Sequence, residues 1–324
     1  MLIINGSDIR SLASAPDLVD AMGETLAAFS TGQIHQQPRV TVEPEKLQGR
    51  VLIMPSASPA SGMGLKVLSM FDRSGERGLP SVQGLMLLID PDYGQPLALI
   101  DGEALTEIRT AAVTARATQV LARPDATRLA IIGAGVQARA HLESLAGVRD
   151  WTSIRIFSRT AERAAGLVAL GRERGLPADL ADSPSTACRN ADVVCTATSS
   201  WSPVIADADV APEGVHVNAI GAFGATCREL PSELVLRSDV FVDSRQGALG
   251  EAGDLLVPIE EGLITEAHIR AEIGEVLAGV APGRTGSDRT TIFETLGLAV
   301  EDLVAGRIVY DRAVERGLGM RVNV

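Results

Sequence analysis

The sequence predicts an α/β protein of two domains, with a doubly wound parallel-sheet domain inserted into a mixed α+β domain. Two observations carry this prediction. A short apolar segment near the middle of the chain runs directly into a glycine-rich turn, and strand and helix patterns then alternate, which is typical of a parallel sheet. The turn begins only at Gly133 of 324 residues, so the residues before it must form a domain of their own.

The first part of the chain, residues 1–123, mixes strand and helix patterns. Apolar residues at helical spacing predict a helix over 17–30, and an alanine-rich segment predicts another over 106–122, with Thr106 as its candidate N-cap. The 90–94 tract, with two aspartates, a proline and a glycine, predicts a hairpin turn. Apolar runs predict strands over 39–43, 49–54, 64–70, 85–90 and 96–101.

The second part of the chain follows a linker at 124–127. The alternating pattern predicts a helix over 160–174, and after residue 288 it becomes helical again, over 293–305. We expect that last helix to return to the first domain, so the predicted domains are 1–123 plus 293–324, and 124–292. Buried strands are predicted over 128–133, 153–158, 192–198, 215–221 and 239–243.

The glycine turn has the spacing of a dinucleotide-binding fingerprint. Gly133 permits the tight turn, Gly135 lets the backbone approach a pyrophosphate, and Ala138 lets the helix pack close to the strand. Val136 and Gln137 open that helix, whose free amides and positive dipole end suit phosphates. Residues 124–292 are therefore predicted to form a Rossmann NAD(P)-binding domain; the alternative is a tight turn without a ligand.

The end of the second strand indicates which dinucleotide binds. An acidic residue there would accept hydrogen bonds from the ribose 2′-OH and favour NAD. This chain has Ser158, Arg159 and Thr160 instead, with Arg163 one turn further along. A hydroxyl and a guanidinium suit a 2′-phosphate, so the predicted cofactor is NADPH rather than NADH. In the alternative reading, Arg159 is a solvated surface residue and Thr160 only a helix N-cap.

Composition and charge exclude several classes of partner. A net charge of −12 argues against binding to nucleic acid or to an anionic membrane. Three cysteines without metal-ligand spacing fit a reduced cytoplasmic location, and no metal site is predicted. We also expect neither a signal peptide nor a membrane span.

Three basic residues of the first domain are candidates for binding an anionic substrate. Lys66 is one of only two lysines and lies in an otherwise apolar strand, where a charge is costly unless it is paired or faces a cavity. Arg39 follows a proline, and Arg109 begins an alanine-rich helix. Taken singly, each also fits a structural role: Arg39 at the surface, Lys66 on an edge strand and Arg109 in a helix salt bridge.

The order and spacing of several motifs resemble the ornithine cyclodeaminase/μ-crystallin family over nearly the whole chain. One motif holds Lys66, another holds Arg109, and a third is the fingerprint itself. The matching stretches are 64–67, 94–98, 101–102, 105–112, 133–138, 196–200, 203–204, 217–222, 251–254 and 297–302.

The resemblance implies a Rossmann dinucleotide-binding domain inserted in a mixed α+β substrate-binding and dimerisation domain, and hence a homodimer. It implies that Arg39, Lys66 and Arg109 line the pocket for a small imino or amino acid. Thr196 and Thr198, in one of the matching stretches, are assigned to cofactor binding. Family members cyclise ornithine, interconvert alanine and pyruvate, or reduce cyclic ketimines.

Departures from the family pattern separate these activities. The cyclodeaminases carry an acidic residue shortly after the strand at 217–221, and this chain has Phe223 there, which cannot move a proton. Leu52 stands where the ornithine enzymes carry a second acid. Both changes make the pocket more apolar, which suits a cyclic imine better than a diamine. The segment 293–295 replaces a usual lysine–serine pair, and no role is predicted for it.

The predicted function is NADPH-dependent reduction of Δ1-pyrroline-2-carboxylate or Δ1-piperideine-2-carboxylate to L-proline or L-pipecolate. Lys66 is the predicted catalytic residue, and Arg39, Arg109 and Phe223 are the predicted substrate-binding residues. One alternative is an ornithine cyclodeaminase or an alanine dehydrogenase-type enzyme. Another, of a different class, is an NADP-bound binding protein without turnover.

Overall fold

The computed structural model describes residues 1–44, 46–80, 82–221 and 223–323, and these divide into two compact units. Unit 1 comprises Met1–Thr110 and Leu298–Val324, and unit 2 comprises Ala111–Gly297. Among the described residues, no helix is both long and apolar enough to cross a membrane.

The first segment of the chain forms seven of the strands of unit 1 and three helices. The last of these helices continues into unit 2. The elements are β1 (Leu2–Ile4), α1 (Gly6–Leu12), α2 (Val19–Ser30), β2 (His35–Gln36), β3 (Val40–Val42), β4 (Gly49–Ser58), β5 (Gly62–Phe71), β6 (Val82–Ile89), β7 (Pro96–Asp101) and α3 (Gly102–Leu121).

Unit 2 alternates strands and helices, and the chain then returns to unit 1. The elements of unit 2 are β8 (Arg128–Ile132), α4 (Val136–Ala146), β9 (Ser153–Phe157), α5 (Ala161–Glu173), β10 (Ala178–Leu180), α6 (Pro184–Cys188), β11 (Val193–Thr196), β12 (His216–Ala219), α7 (Ser232–Arg237), β13 (Asp239–Val242), α8 (Arg245–Glu251), α9 (Gly253–Glu260), β14 (Ile269–Glu272), α10 (Ile273–Leu277) and β15 (Thr291–Glu294). Unit 1 is completed by α11 (Ala299–Arg316) and β16 (Met320–Arg321).

Unit 1 is built on one mixed sheet of order β16-β1-β7-β6-β5-β4-β2, with β3 also paired to β4. Helix α11 packs across β4, β5 and β6 and against α2. The approach is close at Gly64, where a Cβ would lie 2.2 Å from Met86 Cε and 3.1 Å from Leu303 Cδ1. Side chains alternate along these strands, so one face of the sheet is buried under the helix.

Unit 2 is a parallel sheet of order β10-β9-β8-β11-β12-β15-β13-β14. The strand order reverses between β8 and β11. In doubly wound sheets the crevice at this reversal, outside the carboxyl ends of the strands, is where dinucleotides bind. The α/β fold class predicted from the sequence, with a Rossmann-type sheet within a mixed domain, is confirmed.

Two local predictions at the unit boundaries are wrong. Residues 293–294 do not begin a helix: Thr291–Glu294 forms β15, which pairs with β12 and β13. A buried four-residue strand cannot be distinguished from a helix by periodicity, and the acidic Glu294 hid its apolar character.

Thr106 is not an N-cap, since α3 begins at Gly102 and the Thr106 hydroxyl donates to the Gly102 carbonyl at 2.6 Å. The compact units divide at 110/111 and 297/298, whereas the domain boundaries expected from the sequence are 123/124 and 292/293.

Candidate active site

The fingerprint turn has the geometry that a dinucleotide pyrophosphate requires. Gly133 has φ +126°, and a Cβ there would lie 2.4 Å from the Ala197 carbonyl oxygen, so this position accepts glycine only. Gly135 caps α4 without a side-chain hydrogen bond, and a Cβ on it would meet nothing within 4 Å. Ala138 is fully buried, as close helix–strand packing demands. The amides of Val136 and Gln137 thus begin the helix next to free space. The turn therefore fits a dinucleotide pyrophosphate.

The segment after β9 presents exposed positive charge. Ser158 is half-buried, and its hydroxyl accepts a hydrogen bond from the Thr160 amide at 3.3 Å. Thr160 is the N-cap residue of α5 but makes no side-chain capping bond. Arg159 and Arg163 are exposed, and within the described part of the chain neither guanidinium has a hydrogen bond or ion pair. An anion at this helix N-terminus would meet two guanidinium groups that no internal carboxylate neutralises.

Glu229 links the carboxyl ends of two strands of unit 2, β11 and β12. The carboxylate is fully buried and accepts hydrogen bonds from the hydroxyls of Thr196 (2.9 Å) and Thr198 (2.7 Å). It also accepts from the amides of Thr198 (2.6 Å), Ile220 (3.2 Å) and Gly221 (2.7 Å). The two threonine hydroxyls predicted to bind the cofactor are therefore bonded to an internal carboxylate, and the role of these residues there stays a prediction.

A buried group of carboxyls surrounds Glu229. Asp254 Oδ1 accepts from the Glu229 and Leu230 amides at 3.0 and 2.9 Å, and burial raises the pKa of Asp254 to about 7. Glu294, 1% exposed at the end of β15, has no hydrogen-bond partner for either carboxylate oxygen among the described residues. Burial, with the charges of Asp254, Glu229 and Asp243, raises the pKa of Glu294 well above its usual value. The Glu294 carboxyl therefore keeps its proton to a higher pH than an exposed glutamate does.

Replacing Glu294 by glutamine is expected to stabilise the protein at high pH and not at low pH. A raised folded-state pKa means that the contribution of this group to stability is present below the ordinary carboxyl pKa and lost as pH rises through the folded value. We expect the Tm of Glu294→Gln to exceed that of the native protein by roughly 2 °C or more at pH 8, with little difference at pH 5. The exposed Glu266→Gln is the control. Equal Tm differences at both pH values would contradict the raised pKa of Glu294.

Two of the predicted substrate-binding cations meet in unit 1. Lys66 is fully buried, and its Nζ donates to Asp302 Oδ1 at 2.7 Å and to Thr106 Oγ1 at 2.6 Å. Arg109, 4% exposed, donates from Nε to the same Asp302 oxygen at 3.1 Å and from Nη1 to Glu301 Oε2 at 2.6 Å. Burial, the largest influence, lowers the pKa of Lys66 to about 8, although Asp302 acts to raise it.

The other two predicted substrate-binding residues are Arg39 of unit 1 and Phe223 of unit 2. Arg39 is half-buried in the loop before β3, directly before Val40, which pairs with Ile53 of β4. That register puts Arg39 beside Met54, the β4 residue opposite Lys66, about two strand spacings or ~10 Å from it. Phe223 belongs to unit 2. It is half-buried just after β12, with its amide donating to the Gly221 carbonyl at 2.8 Å.

Sequence reasoning missed the residues that hold these cations. Asp302 and Glu301 stand in a recognised motif, yet no role was predicted for either, nor for Thr106 as a partner of Lys66. The signal was present in part, because a lysine in an apolar strand requires a counterion. It was obscured because acidic residues are ordinary in the first turn of a helix such as α11. Within the described ranges, no group of three or more His, Cys, Asp or Glu side chains is placed to hold a metal ion.

Comparison with known proteins gives matches along nearly the whole chain. The profile of the ornithine cyclodeaminase/mu-crystallin family matches residues 2–317. The chain belongs to this family. The resemblance inferred from its motifs is thereby confirmed. A Delta(1)-pyrroline-2-carboxylate reductase of Bacillus cereus is 36% identical over 326 residues, which cover 100% of each chain.

Two solved structures of the family have the same fold. Thermococcus litoralis Delta(1)-pyrroline-2-carboxylate reductase, in complex with NADH and L-proline, has a TM-score of 0.95 and 35% identity, covering 99% of this chain and 100% of its own. An archaeal alanine dehydrogenase dimer with bound NAD has a TM-score of 0.94 and 32% identity, covering 100% and 99%. A nicotinamide dinucleotide is therefore the cofactor class of the family fold.

Proposed function

We propose that this protein reduces a cyclic ketimine, Δ1-pyrroline-2-carboxylate or Δ1-piperideine-2-carboxylate, with NADPH, giving L-proline or L-pipecolate. Its relatives make it an oxidoreductase that acts on carbon–nitrogen bonds. The observation that carries the finer proposal is the pair of buried cations, Lys66 and Arg109, held on one carboxylate oxygen. Such a pair can bind a carboxylate and still present an ammonium group to a neighbouring imine nitrogen.

Each of the predicted site residues has a distinct task in this reaction. The bound nicotinamide supplies the hydride that reduces the imine carbon. Arg109 and Arg39 bind the substrate carboxylate, since a guanidinium fork matches its geometry. Lys66 Nζ donates a hydrogen bond or a proton at the imine nitrogen, and its pKa near 8 suits a general acid at neutral pH. Phe223 contributes an apolar contact to the ring.

Two assays across four kinds of substrate test the proposal. Five- and six-membered cyclic imino acids and pyruvate with ammonia are compared by NADPH oxidation, and ornithine is tested with the oxidised cofactor by ammonia release, all at equal concentrations. We expect the cyclic imines to have the highest kcat/KM. Faster turnover of pyruvate with ammonia would favour the second candidate, an alanine dehydrogenase-type enzyme, which the archaeal neighbour supports. Cofactor binding without turnover of any of these would favour a binding protein.

The preference for NADPH rests on the two exposed arginines after β9, and it leads to a separate prediction. Arg159→Asp removes a cation and adds a charge that repels a 2′-phosphate. A charged hydrogen bond contributes about 1.5–3 kcal/mol, so the NADPH/NADH ratio of kcat/KM should fall roughly ten- to a hundredfold. Arg174→Asp, at the other end of α5, is the matched control. An equal change with both cofactors would show that Arg159 does not contact the 2′ position.

We also propose a homodimer in the cytoplasm, formed through the sheet of unit 1. Val40, Ile53, Val67 and Leu85 form one cross-strand row on the face opposite α11. Val40, Val67 and Leu85 are 54%, 36% and 51% exposed, a contiguous apolar surface of the kind that interfaces use. The archaeal alanine dehydrogenase is a dimer, and the free cysteines of this chain fit a reducing compartment.

A charge placed in this row should separate the two copies. We expect sedimentation to give twice the 33.9 kDa chain mass for the native protein and the single chain mass for Leu85→Glu, because a twofold interface would bury two facing carboxylates. Leu263→Glu, at an exposed leucine of unit 2, is the control and should leave the mass unchanged. A dimeric Leu85→Glu would place the interface elsewhere.

A further inference from the structure

We propose that Asp302 is the positioning residue of the proposed reductase: one of its carboxylate oxygens accepts from both Lys66 and Arg109 and so sets the spacing of the two cations. The inference rests on the proposed function for its catalytic meaning. Its structural content, the dependence of Lys66 on Asp302, can be measured without any substrate.

The geometry assigns this role to Asp302 and not to a neighbour. Lys66 Nζ and Arg109 Nε lie 2.7 and 3.1 Å from the same atom, Asp302 Oδ1, so they can be no farther apart than these two distances together. Asp302 Oδ2 has no hydrogen-bond partner among the described residues. Because one oxygen serves both donors, the carboxylate draws the cations together, whereas two parallel bonds would hold them apart.

The other groups around Lys66 cannot replace Asp302. On the sheet, Lys66 lies between Met54 and Met86, which are buried and uncharged. On α3 it meets the neutral hydroxyl of Thr106, while Arg109 repels it. The neighbouring carboxylate on α11, Glu301, is bonded to Arg109, and its influence on Lys66 is smaller than that of Asp302.

The charge state of Lys66 therefore depends on Asp302. Burial lowers the pKa of Lys66, and Arg109 lowers it further; Asp302 opposes both, and the result is a pKa of about 8. Removing the charge of Asp302 leaves burial and Arg109 opposed mainly by Glu301, so the pKa must fall. Because an ammonium is the acid of the proposed reaction, activity that depends on it should disappear at a lower pH in the variant than in the native protein.

The test uses the fact that the chain has only two lysines, Lys46 and Lys66. Full-length protein labelled with ¹³Cε,¹⁵Nζ-lysine should give two side-chain signals, which Lys46→Arg assigns. We expect the Lys66 signal to titrate near pH 8 in the native protein and at a pH lower by roughly 1–3 pH units in Asp302→Asn. Glu301→Gln, which removes the neighbouring charge, should move the Lys66 midpoint less.

Kinetics then separate the inference from the function on which it rests. In Asp302→Asn, kcat/KM for the cyclic imine should fall ~10²-fold or more at pH 7.5. The alkaline limb of the pH profile of kcat/KM should move to lower pH together with the titration midpoint of Lys66. NADPH affinity should be unchanged. If Asp302→Asn does not fold, Asp302→Glu serves: it keeps the Lys66 midpoint near 8 but lowers kcat/KM, because its longer side chain alters the spacing of the cations.

The inference is overturned if the Lys66 midpoint is the same in Asp302→Asn and in the native protein, or if Glu301→Gln shifts it as far. It is also overturned if Asp302→Glu is as active as the native protein. A lowered Lys66 midpoint in an enzyme that does not reduce cyclic imines would reject the proposed function and leave the structural role of Asp302 intact.

Discussion

Lys66→Ala and Arg109→Ala are each expected to abolish most turnover and to leave NADPH binding nearly intact. Both residues belong to unit 1, whereas the fingerprint and the exposed arginines belong to unit 2. Loss of the general acid at Lys66 should lower kcat/KM by ~10²–10⁴-fold. Loss of the guanidinium at Arg109 should act mainly on KM for the imino acid. Steady-state kinetics and a fluorescence titration with NADPH measure the two effects separately.

Controls must separate lost chemistry from lost folding, because each variant removes a cation from a buried carboxylate. Breaking one partner from a buried ion pair costs about 3–5 kcal/mol in general. Thermal unfolding therefore accompanies each assay, and Lys66→Met, which keeps most of the side-chain volume, replaces Lys66→Ala if that variant unfolds. Arg307→Ala, on the same helix as Asp302 and paired with Asp311, should keep full activity. Reduced NADPH affinity with retained kcat would reverse the assigned roles.

Ornithine should be a poor substrate or none, and reduction of cyclic ketimines should exceed it by orders of magnitude. In cyclodeamination an imine forms, the side-chain amine attacks the imine carbon, and ammonia is expelled. A proton moves at each stage. General acid–base catalysis of such steps is worth ~10²–10⁴-fold, and Phe223 provides none. A phenyl ring instead buries the apolar edge of a cyclic imine, at ~25 cal/mol per Å². Ammonia release from ornithine, measured beside imine reduction, is the decisive comparison.

A matched pair of variants tests whether Phe223 is responsible for the preference for cyclic ketimines over ornithine. Phe223→Leu keeps an apolar surface and should retain most ketimine reduction, while Phe223→Asp should lose much of it through the charge placed beside the ring. Efficient ammonia release by the native protein would contradict the prediction. In that case one of the buried acids of unit 2 must move the protons, and Asp254, with its pKa raised to about 7 by burial, would be the first to test.

Much of the architecture could be predicted because its signals are local. The fingerprint is legible since Gly133 needs a positive φ that other residues avoid, and this requirement appears directly in the sequence. The long helices of unit 2 were predicted from periodicity, and most of its buried strands from short apolar runs, for the same reason. The four-residue β15 was missed, because its place between β12 and β13 depends on partners far away in the chain.

Local pattern also identified several of the candidate residues, whereas Phe223, Thr196 and Thr198 came from the family resemblance. A lysine in an apolar strand and arginines where an acid is expected carry their chemical meaning in their immediate neighbours. What those residues contact was decided only by the tertiary structure. Asp302 lies 236 positions from Lys66 and 193 from Arg109, and nothing in the sequence reports that they meet. A charge in an apolar interior must find its counterion wherever the fold brings one, so the partner, and with it the pKa of Lys66, belongs to the packing of α11 on the sheet.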